Sequence, residues 1–154
     1  MRASRGFTLV EILIVVVILG ILAAIVIPQF TEASTEAKLS SLCSDLQTTR
    51  SQIELYKVQH NDAVPLPETG GLTWDRMTKY TSIAGVVSAT KDDTYQYGPY
   101  LQKIPLNQFN DKAVIEVGAA AADTGTTPST TNGWFLNGVT GVFTAVDCAD
   151  HAKL

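Results

Sequence analysis

The sequence predicts an α+β chain: one long N-terminal α-helix, membrane-spanning first and amphipathic further on, packed against a small antiparallel β-sheet head. Three observations predict it. Residues 7–27 form an unbroken apolar run in which Thr8 and Glu11 are the only polar side chains. Beyond Pro28 the apolar residues thin to one side of a helix, at Leu39, Leu42, Leu46, Thr49, Ile53 and Tyr56. From residue 61 to 154 short β-rich segments alternate with Gly, Pro and Asn.

Length and charge narrow the function. A chain of 154 residues holds one compact domain in addition to its N-terminal segment. The formal net charge is −4, and no basic stripe of the kind nucleic-acid binding needs is present. Two cysteines, Cys43 and Cys148, are too few for a disulfide scaffold and wrongly spaced for a zinc site. No G-x-S-x-G, H-E-x-x-H or P-loop pattern occurs, so neither an enzyme nor a cofactor is expected.

The apolar run comes first in the chain. At 1.5 Å per residue it makes a helix of about 31 Å, the thickness of a bilayer's hydrocarbon core. Secretory signals have shorter apolar cores and end in a small-residue cleavage site, which "AAIVIPQF" lacks. Arg2 and Arg5 precede the run, whereas Glu32, Glu36 and Lys38 follow it. The positive-inside bias then places the N-terminus in the cytoplasm and the head outside. Glu11 is the anomaly. An ionised side chain at the centre of a span costs about 2.5–3.5 kcal/mol, less near an interface where it can snorkel. Either it is an interfacial acid with no task, or something else in the membrane supplies its partner.

The stretch "GFTLVEILIVVVILGILAAIVIPQF", with its short basic leader, Gly6, Phe7, Glu11, Gly20 and Pro28, resembles the N-terminus of type IV pilins and of type II secretion pseudopilins. The resemblance implies a leader peptide, 1–6, cut between Gly6 and Phe7 by a prepilin peptidase that then methylates the Phe7 amine. It also implies that Glu11 attracts the Phe7 amine of a neighbouring subunit, so that axial register in a helical filament is set by pairing two charges. Gly6 suits a peptidase that must approach the backbone closely. Losing Arg2 and Arg5 takes the chain from −4 to −6 and frees the anchor from its cytoplasmic charges.

Pro28 removes one helix hydrogen bond. With Gly20 it bounds a weak stretch that, by resemblance, loosens when subunits pack; the alternative is that Pro28 simply ends the span. The 3-4-3-4-3 spacing from Leu39 to Tyr56 predicts one face of a helix continuing to Gln59, so residues 28–60 are the amphipathic continuation. "HNDAVPLPETGG" ends it.

In the head, "LTWDRMTKYT" predicts a short helix or turn whose Trp74, Met77 and Tyr80 pack in the core. "YQYGPYLQKIPLNQF" has too many breakers for a regular element and is expected to lie over the sheet. "AVIEV" (113–117) predicts a strand, and "GWFLNGVTGVFTAV" a hairpin with strands near 134–137 and 142–146. Between them, 118–133 is expected as an exposed loop. "GPYLQKIPLNQF" and "GWFLNGVTGVF" resemble the heads of major secretion pseudopilins, departing from them at Gln108, where relatives carry proline. Those heads hold calcium in an acidic loop, but Asp123, Asp147 and Asp150 are scattered, and no metal is expected. Cys43 and Cys148 form a disulfide or remain two free thiols, with the bridge preferred in an oxidising compartment. His60 and His151 are expected as isolated surface histidines.

The sequence thus predicts a single-pass inner-membrane precursor with its head in the periplasm, surrounded by lipid before assembly into a periplasmic pseudopilus or surface filament. By resemblance its partners are copies of itself, minor pseudopilins, the prepilin peptidase, and an inner-membrane platform driven by a cytoplasmic ATPase. The expected function is a structural subunit of a type II secretion pseudopilus. A type IV pilus subunit for adhesion, motility or DNA uptake is the alternative within the family. A tethered binding module that forms no filament is the alternative outside it.

Overall fold

A computed structural model describes residues 6–119, 125 and 127–154, and Thr69 by its backbone alone. Arg2, Arg5 and Asp123 lie outside the described residues.

The first helix, α1, runs Leu9–Gln59 with Pro28 inside it. Pro28 therefore does not end the helix. The chain divides into two compact units, one up to Lys38 and the other Leu39–Leu154. In the first unit every described side chain is exposed. In the second, α1 buries Leu42, Leu46, Thr49, Ile53 and Tyr56, the predicted face without Leu39, which stays 36% exposed. Asn61 and Asp62 then take φ of 54° and 62°, the left-handed conformation that stops a helix. The Asp62 amide closes the end by donating to the Lys57 carbonyl at 2.8 Å.

A 3₁₀ turn at Thr69–Gly71 leads to α2, Asp75–Thr78, with Trp74 and Met77 buried as predicted. Gly71 has φ of 85°, and a Cβ there would stand 1.8 Å from the Ile115 carbonyl oxygen, so only glycine fits. Tyr80 is half-buried and belongs to β1, Tyr80–Thr81, which pairs antiparallel with β2, Val87–Ser88.

The main sheet has three strands in the order β3 (Ile115–Gly118), β4 (Trp134–Asn137) and β5 (Phe143–Ala145). The hairpin is where it was expected, with β4 antiparallel to β5 and Leu136 opposite Phe143. The Asn137 carboxamide oxygen shapes the turn, accepting from the amides of Val139 and Thr140 at 2.9 and 2.8 Å. β3, however, is parallel to β4, with Ile115 opposite Trp134, so this sheet is mixed rather than wholly antiparallel. A parallel pair needs a crossover of a dozen or more residues, and 119–133 supplies that length. Central β4 is buried along its whole length, as a strand covered on both faces must be.

The core joins the buried face of α1 to Trp74, Met77, Ile115, Trp134, Leu136 and Phe143. Phe143 lies stacked between the two tryptophans, with centroids at 5.7 Å from Trp74 and 5.3 Å from Trp134. Each indole N–H donates to a proline carbonyl, Trp74 to Pro65 and Trp134 to Pro105. Residues 95–109 form no regular helix or strand, and Pro105 and Asn107 bond to Trp134 and Gly133 at the start of β4.

His60 departs from its expected surface position. It is 2% exposed and stacked on Tyr56 at 3.8 Å, with ring nitrogens 2.9 Å from the Tyr56 carbonyl and 3.0 Å from Thr81 Oγ1. The reason lies in its spacing: four residues after Tyr56, it continues the buried face of α1.

Candidate functional site

Gly6, Phe7 and Thr8 precede α1 in non-helical conformation, and Phe7 is 83% exposed. A Cβ on Gly6 would meet nothing within 4 Å, and its φ lies outside the left-handed region. Among the described residues neither packing nor backbone geometry demands glycine there. The Gly6–Phe7 peptide is thus an exposed, non-helical bond directly ahead of a helix.

Thr8 and Glu11 organise the helix start. The Thr8 amide and the Thr8 hydroxyl both donate to Glu11 Oε2 at 2.8 Å. In return the Glu11 amide donates to Thr8 Oγ1 at 3.2 Å, and the Ile12 amide reaches the Thr8 carbonyl at 3.3 Å. This is a capping box, in which a threonine and a glutamate three residues on satisfy each other's backbone amides. Glu11, which the sequence presents as an acid with no local partner, thus has one in Thr8. The Thr-x-x-Glu spacing before an apolar run was the signal that could have found it. Both bonds fall on Oε2, and Oε1 has no hydrogen bond among the described residues. Glu11 can cap its own helix and still present one oxygen to an outside cation.

From Leu9 to Phe30 the large apolar side chains are exposed, from Val26 at 41% to Leu9 at 82%. α1 is the one described helix long and apolar enough to cross a membrane. Nothing else in that unit covers this surface, so lipid or other protein must. Gly20 has open space around it and makes no close approach within the chain. Pro28 has no amide hydrogen to give the Ala24 carbonyl. One turn on, the Thr31 and Thr35 hydroxyls donate to the carbonyls four residues back, Ile27 at 3.2 Å and Thr31 at 3.0 Å. Such back-bonding competes with the helix ladder.

The cysteines are not joined. Both are free thiols, Cys43 exposed on α1 and Cys148 half-buried after β5. The Cys148 sulfur lies instead beside Asp147 and His151, with ligand atoms within 4.8 Å of one another. His151 is thus not isolated: its Nδ1 is 2.5 Å from Asp147 Oδ2. Asp150 remains on the surface, paired with Lys153 at 3.0 Å.

A family model described as the prokaryotic N-terminal methylation motif matches residues 1–27. Among curated proteins, type II secretion system core protein G of Pseudomonas aeruginosa is 42% identical over 45% of this chain and 48% of its own length. The match therefore spans about half of that relative. The protein of the same name from Klebsiella pneumoniae is 31% identical, with the match covering 68% of this chain and 69% of the relative. A fimbrial protein of Pseudomonas aeruginosa is 41% identical over 35% of each chain. No solved structure gives a significant match.

Proposed function

The chain belongs to the family of type II secretion system core protein G, and from that premise we propose that it is a structural subunit of a secretion pseudopilus. It is made as a precursor, held in the inner membrane by residues 7–27 with the head in the periplasm, cut after Gly6 and methylated on Phe7. Stripped of its leader, it is drawn into a helical filament of identical chains. The platform, ATPase and minor pseudopilins enter this reading only through the family. No enzymatic step belongs to it.

The observation that carries the proposal is the join of two features at the N-terminus. An exposed Gly6–Phe7 bond, with no reason among the described residues for its glycine, stands ahead of a helix whose cap leaves Glu11 Oε1 available. Cutting there creates an ammonium on Phe7, four residues from Glu11. A carboxylate and an ammonium about 4 Å apart in water attract by about 1 kcal/mol, and by several times more where apolar neighbours exclude water. A chain out of register would leave both charges unpaired, so the pair selects one axial position.

The fimbrial relative supports a second reading, a type IV pilus subunit. The longer coverage by secretion proteins favours the first.

Intact mass and N-terminal sequence of the protein from native membranes test the processing step. The expected chain starts at Phe7 and carries one added methyl. A chain starting at Met1 would overturn the proposal and leave a tethered module that forms no filament.

A further inference from the structure

We propose that Asp147, Cys148 and His151 form a binding site for Zn(II), at the start of a C-terminal 3₁₀ turn, His151–Lys153. One carboxylate, one thiol and one imidazole each offer a ligand atom, and these atoms all lie within 4.8 Å of one another. Zinc bonds to oxygen and nitrogen are about 2.0–2.1 Å and to sulfur about 2.3 Å, which places tetrahedral ligands about 3.3–3.6 Å apart. The cluster therefore closes by about an ångström on its longer edges, and the Asp147–His151 contact opens by a little less.

The donors suit this ion and not calcium. Calcium takes six to eight oxygens, whereas sulfur, imidazole and one carboxylate match a borderline-soft divalent metal. Thiolate and carboxylate together offset its double positive charge. The thiol proton leaves to solvent as the bond to sulfur forms. A fourth position remains for water.

The surroundings hold the ligands in place. The Asp147 side chain is 6% exposed, and its Oδ1 accepts from Asn107 Nδ2 at 2.6 Å. Asn107 is itself fully buried and anchored to the Gly133 carbonyl at 3.0 Å. The His151 ring packs against Phe109 at 4.3 Å. Cys148 is tied into the turn, its carbonyl accepting from the Ala152 amide at 3.3 Å. Asp147 held by buried Asn107, and His151 held against Phe109, lose little freedom when a metal arrives.

The test uses the full chain, reduced and metal-free in detergent, titrated with Co(II) as a spectroscopic stand-in for zinc. The native chain and Cys43→Ser are expected to develop a thiolate-to-cobalt charge-transfer band that saturates at one equivalent and is erased by zinc. Cys148→Ser is expected to lose the band, and His151→Ala to need at least about tenfold more cobalt. A second readout needs no variant: zinc should slow alkylation of Cys148 at least about tenfold while leaving Cys43 unchanged. Absence of the band, its survival in Cys148→Ser, or equal alkylation with and without zinc would overturn the site.

Discussion

His60, Tyr56 and Tyr100 form a small aromatic cluster at the end of α1, and its two phenols report on the head through their protons. Tyr100 sits edge-on to Tyr56 at 5.3 Å and donates its phenol hydrogen to Gln59 Oε1 at 2.6 Å. Burial pushes the Tyr100 phenol up to about 12 from an ordinary value of 10.0. The Tyr56 phenol moves the same way, again chiefly by burial, with the Arg76 cation opposing. Below about pH 10 these phenols are protonated whether the chain is folded or not, and the contribution is complete. Between about 10 and 12 the unfolded tyrosine ionises while the folded one holds its proton, so the unfolded state binds fewer protons and stability falls as pH rises. The head's thermal midpoint should drop across that window in the native chain. Tyr100→Phe, which has no proton to lose, should show a shallower drop; an identical slope would remove Tyr100 from the account.

At the scale of elements, α1 was the most legible part, because two different periodicities announce it. A solid apolar run marks one half, and 3-4 spacing marks the buried face from Leu42 to Tyr56. His60 continues that spacing, but its residue type argued for the surface, and tertiary packing decided otherwise. β4 and β5 were readable from the turn at Asn137. The direction of β3 was not, because alternation within "AVIEV" shows a half-buried strand and nothing about which neighbour it meets. β1 and β2 have two residues each, too short for any pattern to stand out. The capping box is present in the sequence as Thr-x-x-Glu, but within a solid apolar run the charge of Glu11 is a stronger signal than its distance from Thr8. Replacing Pro28 tests whether the middle of α1 is weak. Replacing it by alanine restores a donor for the Ala24 carbonyl and removes a helix-interior penalty of about 3 kcal/mol. Amides on either side, from about residue 24 to 31, should exchange hydrogen at least about tenfold more slowly in Pro28→Ala. Unchanged exchange would mean that Pro28 does not loosen the helix there.

For the whole molecule, the question is whether Glu11 serves its own helix or the filament. Both roles use the same side chain, and two substitutions separate them. Glutamine at the third helical position still completes a capping box with threonine, because its carboxamide oxygen accepts what Oε2 accepts. It carries no charge to meet an ammonium. Alanine lacks both functions. If Glu11 acts only as a cap, Glu11→Gln should assemble like the native chain and Glu11→Ala should not. If Glu11 pairs with the Phe7 amine of another copy, both variants should be cut and methylated, fold their heads with unchanged thermal midpoints, and fail to enter filaments. The second result is expected. An unpaired ammonium among apolar helices costs several kcal/mol, more than a neutral carboxamide returns. The measurement is the ratio of processed chain in sheared filaments to processed chain in membranes, compared across the three proteins. Glu11→Gln at the native ratio would assign the glutamate to its own helix and leave the register of the filament to the apolar surface from Leu9 to Phe30.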